Sequence, residues 1–317
     1  MTTSAFQPLR SERSISLHCF EDDTDRAGAT AKALSVPYGA LKLHVFPDGE
    51  SLVTAEHAAG TAVLYRALDR PNGKLVETML GADALREAGA KRVILAAPYL
   101  PYMRQDMAFL PGQAVSQRVL ARMLGTAFDA VVAVAPHLHR VSDMEGVFLG
   151  KVARAVQPTG PIAEVLRNEP DPTRVLIGPD VESAPLIREL AAALAVPCGL
   201  AAKERHGDRA VQVTLDADVD LRGRNVVIVD DIASSGATLI AVARAALRSG
   251  AGQIQAIVCH ALFDLPSQQQ MEAAGIAQIR SCDGVRHRTN RIALAAAIAS
   301  GVLAAADELD ARGGLSA

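Results

Sequence analysis

A chain of 317 residues, half of them hydrophobic but only 3% aromatic and without Trp, has ample Ala, Val, Leu and Ile for layered cores, and its length predicts two domains. A formal net charge of -3 and a pI near 6.2 give no electrostatic case for nucleic acid or an anionic membrane as partner, which leaves a small molecule. Cys19, Cys198, Cys259 and Cys282 stand far apart with no CxxC pair, which argues against a zinc site or a disulfide framework.

The first 14 residues carry Arg10, Glu12 and Arg13 and lack an apolar signal-peptide core. No later apolar run reaches the ~18 residues of a membrane span, so a cytoplasmic protein is expected. Phe46 to Glu50, FPDGE, has the composition of a tight turn, with a stacking face in Phe46 and acceptors in Asp48 and Glu50. Thr61 to Tyr65 and Arg92 to Ala97 are apolar runs suited to buried strands, with a helix predicted between them over Leu75 to Gly89. Pro98 to Asp106, PYLPYMRQD, follows; Arg104 offers a fork for phosphate and Gln105 a polar edge. A helix over Ser116 to Leu124 and a strand over Ala130 to Ala135 lead to VAPHLHR. There His137 and His139 are two apart, so that on a strand both imidazoles would share a face.

The Pro- and Gly-containing stretch QPTGP, Gln157 to Pro161, marks the expected boundary between a domain of residues 1–157 and one of residues 158–317. Beyond it, the strand Arg174 to Ile177 runs into Gly178, Pro179 and Asp180, an acid placed either to cap a helix or to meet a ligand. Lys203-Glu204-Arg205 stands between the apolar CGLAA and the polar HGDRA, which predicts a mobile loop. The strand Asn225 to Val229 precedes Asp230 and Asp231, and a helix over Thr238 to Ser249 is predicted to present Leu239, Val242, Ala243, Ala246 and Leu247 on one face before Gly250 stops it. Gln255 to Cys259 is a further buried strand, and ADELDARGGLSA after residue 305 reads as a helix end with a frayed tail. This alternation predicts an α/β chain with mainly parallel sheets flanked by helices. RVILAAP to DAVVAVAPHLH echoes NVVIVDD to QIQAIVCHALF, as two copies of one nucleotide-type fold would, with only the second keeping a phosphate loop. The final helix is a candidate to pack back on the N-terminal domain.

VVIVDDIASSGAT carries the most specific chemistry. Ligands of open α/β sheets bind at the carboxyl ends of strands, where this strand delivers Asp230 and Asp231. Adjacent acids can accept hydrogen bonds from a vicinal diol or help hold hydrated magnesium. Ser234, Ser235, Gly236, Ala237 and Thr238 then leave the backbone uncovered, so that amides, hydroxyls and a helix start form a nest for a phosphate monoester. A diol clamp beside that cradle points to ribose 5-phosphate. Walker A and GxGxxG patterns are absent from the chain.

This loop resembles the phosphoribosyl-diphosphate loop of type I phosphoribosyltransferases and of ribose-phosphate pyrophosphokinases (PRPP synthases). FPDGE, PYLPYMRQD, the GPD at 178–180 and Lys203-Glu204-Arg205 are similar, in the same order, to motifs of the second family, from about residue 15 to about residue 290. The resemblance implies two tandem type I phosphoribosyltransferase-like domains and transfer of the β,γ-diphosphate of ATP to the C1 hydroxyl of ribose 5-phosphate, giving PRPP and AMP. It assigns ATP to Phe46, Asp48, Glu50, Arg104 and Gln105, and ribose 5-phosphate to Asp180, Asp230, Asp231 and residues 234–238. Charge neutralisation in catalysis falls to Lys203 and Arg205, and a magnesium ion to His137, His139 and Asp180. The sequence departs where many relatives carry Asp-Leu-His, since Ala135 stands where an acid is expected and either histidine could be the counterpart. It departs again after Asp106 and over Ser281 to Arg291, which puts the family's usual feedback control by ADP or phosphate in question. The resemblance also implies a homodimer sharing an ATP site, or a homohexamer. A non-catalytic regulatory relative is the alternative, and a phosphoribosyltransferase using PRPP a third reading.

Overall fold

Short apolar strands alternate with helices along the chain, and the computed structural model describes residues 14–138, 143–206, 210–215 and 219–314. For residues 203–206 and 210–213 only the backbone is described. The first half contains β1 (Ile15–Cys19), a 3-10 turn (Glu21–Asp23), α1 (Thr24–Leu34), β2 (Tyr38–Ala40), β3 (Lys42–Val45), β4 (Ser51–Thr54), β5 (Thr61–Tyr65), α2 (Pro71–Glu87), β6 (Arg92–Ala97), α3 (Ser116–Ala127), β7 (Ala130–Val134), α4 (Met144–Val147) and β8 (Val152–Val156). The second contains α5 (Thr159–Arg167), β9 (Arg174–Gly178), α6 (Ala184–Leu194), β10 (Cys198–His206), β11 (Ala210–Leu215), β12 (Asn225–Ala233), α7 (Ala237–Arg248), β13 (Gln253–Ala261), α8 (Leu265–Ala273), β14 (Ile276–Cys282), β15 (Asn290–Ile292) and α9 (Ala295–Gly314).

Two sheets result. One runs β2-β1-β5-β6-β7-β8 with every pair parallel; the other runs β11-β10-β9-β12-β13-β14-β15, with only β10 and β11 antiparallel. Central strands such as β6 and β7 are buried on both faces, which is why they read as unbroken apolar runs rather than alternating ones. α2 and α3 close one face of the first sheet over Leu64, Leu95, Leu85 and Leu124. α7 and α8 close one face of the second over Val226, Ile228, Leu239 and Val242. On α7 the expected face is displaced slightly, because Ala245 is buried and Leu247 is exposed.

The remaining faces share one core. Leu17, Val63, Ile94 and Val132 of the first sheet belong to the same apolar cluster as Val227, Ile257 and Cys259 of the second and Ile298, Val302 and Ala305 of α9. The last helix therefore returns from the second half to cover the first sheet. Close approach requires Gly301, where a Cβ would lie 2.5 Å from Val156 Cγ2 and 2.9 Å from Val132 Cγ1. Residues 305–314 form the expected helix end, held down because Ala305 and Ala306 are buried and Arg312 donates to the Gly150 carbonyl at 2.7 Å; the tail expected beyond it lies outside the described residues.

Lys203-Glu204-Arg205 departs from expectation as well. Its backbone is strand, with Lys203 opposite Val213 and Arg205 opposite Val211. β10 pairs with β9 only as far as Leu200, and its projecting part is paired with β11 as a two-stranded arm, so the polar composition falls on a ribbon instead of a loop. Among the described residues, no helix is long and apolar enough to cross a membrane.

A buried hydrogen bond also joins the two sheets: His260 Nε2 on β13 donates to the Val134 carbonyl on β7 at 2.9 Å. Burial pushes the His260 imidazole down to about 4, so the folded state keeps it neutral. As pH falls below the ordinary value of 6.5, the unfolded chain takes up the proton first, and stability is lost down to about pH 4. At roughly 1.4 kcal/mol per pH unit the contribution is about 3 kcal/mol. His260→Gln keeps a donor but cannot titrate. Urea unfolding at pH 7, 5.5 and 4.5 is expected to show a shallower loss for this variant than for the wild type, and identical slopes would remove His260 from the acid sensitivity.

Candidate functional site

β12 carries Asp230 and Asp231 near its carboxyl end, and after Ala233 the chain turns through Ser234 and Ser235 into α7. Although two acids interrupt the apolar run, β12 continues beyond them, because Ile232 and Ala233 pair with His260 and Ala261 on β13. Gly236 starts the helix at φ 73°, in the left-handed region that favours glycine. A Cβ there would also sit 2.5 Å from Met271 Sδ. Ser235 Oγ accepts the Ala237 N–H at 3.4 Å, and Thr238 and Leu239 of the first turn line a cleft of about 280 Å³. The amides of a first helical turn have no helical acceptor, so an anion fits there.

The cleft wall is acidic on one side and basic on the other. Asp180, after β9, lines it while its Oδ1 accepts the N–H groups of Glu182 at 3.1 Å and Ser183 at 3.2 Å, so this acid both closes a turn and faces the site. Arg104, after β6, and His137, after β7, come from the first sheet. His137 Nδ1 is hydrogen-bonded to Asp231 Oδ2, and its Nε2 lies 3.6 Å from Glu182 Oε2.

Protons are shared unevenly here. Burial, and then the charge of Asp231, push the Asp230 carboxyl up to about 8. Burial would raise Asp231 too, but its hydrogen bond and charge contact with His137 hold it below the usual carboxylate range. Burial would lower His137, and the bond to Asp231 overcomes this and raises it. Near neutrality the pair thus combines a protonated carboxyl with a carboxylate, able to donate to one hydroxyl and accept from another.

The structure thus brings Arg104, His137, Asp180, Asp230, Asp231 and residues 234–238 into one cleft. Of the other expected residues, those whose side chains are described do not line it. Gln105 accepts a hydrogen bond from Ser116 Oγ instead. Phe46, Asp48 and Glu50 form the exposed tip of the β3–β4 hairpin, where the Phe46 N–H donates to the Glu50 carbonyl at 2.8 Å and the Phe46 ring meets His44 edge-on at 4.7 Å. The turn chemistry of Pro47-Asp48-Gly49 is therefore realised, whatever else the tip does. Lys203 and Arg205 lie on the β10 ribbon, and His139 falls outside the described residues. Glu182, not singled out by sequence, joins the site; its signal was a second acid two residues past the strand-end Asp180. An adjoining cleft of about 660 Å³ shares His137, Asp180 and Asp231 and extends past Arg154 and Leu186.

Residues 15–127 match the N-terminal domain of ribose phosphate pyrophosphokinase, and residues 159–294 match the phosphoribosyl transferase domain. A ribose-phosphate pyrophosphokinase of Methanopyrus kandleri is 33% identical over 259 residues, which cover 81% of this chain and 88% of that one. Another, of Halobacterium salinarum, is 32% identical over 277 residues, covering 86% and 95%. The chain belongs to the ribose-phosphate pyrophosphokinase family. The phosphoribosylpyrophosphate synthetase of Mycobacterium smegmatis superposes with a TM-score of 0.78 at 21% identity, covering 93% of this chain and all of that one, so the fold is that of the family throughout.

Gly236→Ala tests the cradle. Left-handed strain and the clash with Met271 are expected to lower stability by about 1–3 kcal/mol, read by denaturant unfolding, and to weaken binding of ribose 5-phosphate read by calorimetric titration. Adding Met271→Ala should relieve the clash but not the backbone strain, so wild-type affinity in the double variant would remove the left-handed turn from the argument.

Proposed function

We propose that this chain transfers the β,γ-diphosphoryl group of ATP to the C1 hydroxyl of ribose 5-phosphate, giving PRPP and AMP. The reading is carried by the acid pair and phosphate nest at the end of β12 facing Arg104 and His137 of the other sheet, in a chain of this family. Ribose 5-phosphate sets its phosphate in residues 234–238 and its diol against Asp230 and Asp231, with Asp180 beside the sugar. The C1 oxygen attacks the β-phosphorus in line and loses its proton, while the bond from the β-phosphorus to the oxygen of AMP breaks. Arg104 pairs with the nucleotide phosphates, and Lys203 and Arg205 meet the charge that grows in the transition state. We take the two units to be residues 1–157 and 158–317.

Magnesium enters this reading with the nucleotide. Asp180, Glu182, Asp230 and Asp231 offer hard oxygen donors on one wall. Among the described residues, no three potential ligands are grouped to hold a metal ion. In this reading the ion is bound through one or two of these carboxylates, several waters and substrate phosphates. When bound, it would neutralise the β- and γ-phosphates. His137, with Asp231 on one ring nitrogen and Glu182 near the other, serves in this reading as the partner that keeps Asp231 ionised.

The hairpin tip with Phe46, Asp48 and Glu50 serves a second copy of the chain. Support comes from the exposed apolar side chains Val45, Phe46 and Leu52, which a homodimer or homohexamer would cover. A cytoplasmic setting belongs to the same reading, since Cys19, Cys198, Cys259 and Cys282 are free thiols.

The experiment is direct. Purified protein with ATP, magnesium and ribose 5-phosphate should release AMP and PRPP in equal amounts; binding of both substrates without either product, across a range of magnesium and phosphate, would favour a non-catalytic relative. Lys203→Ala should lower kcat by about 10²-fold or more while KM for either substrate changes far less. Unchanged kcat would take Lys203 out of the mechanism.

A further inference from the structure

The two sheets correspond strand by strand. In order, β2, β1, β5, β6, β7 and β8 occupy the positions of β10, β9, β12, β13, β14 and β15. In this correspondence α2 stands where α7 stands, and the loop after β5 where the phosphate loop stands after β12. Both helices begin from a left-handed residue: Gly236 at φ 73° and Arg70 at φ 50°. For arginine that conformation costs about 1–2 kcal/mol, and such strain gathers where ligands are held.

The clefts correspond too, with the roles of the halves exchanged. The site described above uses the ends of β9 and β12 and is closed by residues after β6 and β7. A second cleft, of about 570 Å³, uses the ends of β1 and β5 and is closed by residues after β13 and β14, Phe263 and Arg286 among them. Its charge is reversed. Arg26, Arg70, Lys74 and Arg286 line it against Asp22 and Asp69. Lys74 is spent on Asp69 at 2.8 Å and Asp22 at 3.4 Å, and Arg26 holds Asp23 at 2.6 Å, with its Nη1 buried and without a hydrogen-bond partner. Arg70 makes no hydrogen bond or ion pair among the described residues, and Arg286 reaches only Asp25, at 3.4 Å between two well-exposed side chains. Pro71 at the start of α2 has no N–H to give, so an anion here is met by guanidinium groups rather than by a backbone nest.

We propose that this second cleft binds a phosphate-bearing anion, inorganic phosphate or a phosphate ester, between Arg70 and Arg286. The site is separate from the proposed catalytic cleft, and its test reads binding rather than turnover.

Titration calorimetry of the full chain with inorganic phosphate should find two sites, one at residues 234–238 and one here. Arg70→Ala/Arg286→Ala, which alters only exposed side chains and leaves the backbone strain at position 70 as it was, should weaken one of them at least tenfold and leave the other intact, with the thermal midpoint unchanged. Crystals soaked in tungstate should show the anion between the two arginines, which locates the site without any variant. Repeating the titration with ribose 5-phosphate and with AMP separates an ester from the free ion: tighter binding at the arginine-dependent site marks the ester, weaker binding marks inorganic phosphate. Unchanged phosphate binding in the double variant, or tungstate at the β12 loop and not in this cleft, would overturn the proposal.

Discussion

Two carboxylates at adjacent positions of a buried strand end repel each other, and most of the architecture around β12 answers that repulsion. At 4 Å and an effective dielectric of 20, two unit charges interact by about 4 kcal/mol. The chain meets this in two ways: Asp230 holds a proton near neutrality, and the neighbouring sheet brings His137 to Asp231. The second answer works only if the sheets dock in one arrangement. The common core, the His260 to Val134 hydrogen bond and the return of α9 across the first sheet provide that arrangement. Gly301 is thus linked to the acid pair, although it touches no part of the cleft, because it sets how closely α9 lies on β7 and β8.

The parts of this fold that sequence reveals are those in which each residue reports its own surroundings. RVILAA is buried on both faces and reads as apolar throughout; the small residues of Ser234 to Thr238 read as uncovered backbone. What stays hidden depends on pairing between distant segments. The short β2, β3 and β15 carry too few residues to show a period, and nothing local to Lys203 says that Val213 will hold it in a strand. His137 looked like a possible metal ligand because its neighbours in sequence include another histidine. Its partner in space is Asp231, 94 positions away, a contact that no local pattern shows.

Turn chemistry and ligand chemistry also use the same residues, which limits what a motif can say. FPDGE is a hairpin tip whose Asp48 Oδ1 accepts the Glu50 N–H at 3.1 Å, so its form is fully accounted for by the turn. Asp180 likewise closes a turn by accepting two N–H groups and still faces the cleft. A local role therefore neither excludes nor supplies a role toward a ligand. The position of the side chain relative to a cavity decides, and Asp180 has it within one chain whereas Asp48 does not.

The correspondence between the halves explains why one fold can meet phosphate in two chemical ways. At the end of β12 a glycine takes the left-handed position, leaving room for the backbone itself to approach an anion, and the acids beside it are free to read a sugar. At the end of β5 the same position holds Arg70 and the next residue is Pro71, which closes the backbone route and adds positive charge in its place. A guanidinium can pair with phosphate without an uncovered loop, so the site proposed in the first half needs no glycine cradle. Each cleft draws charge from the opposite half: the acid-rich cleft takes Arg104 from the loop after β6, and the arginine-rich cleft adds Arg286, after β14, to its own Arg70. Docking of the two halves therefore sets the charge balance of both clefts, with acids awaiting a cation in one and arginines converging on an anion in the other.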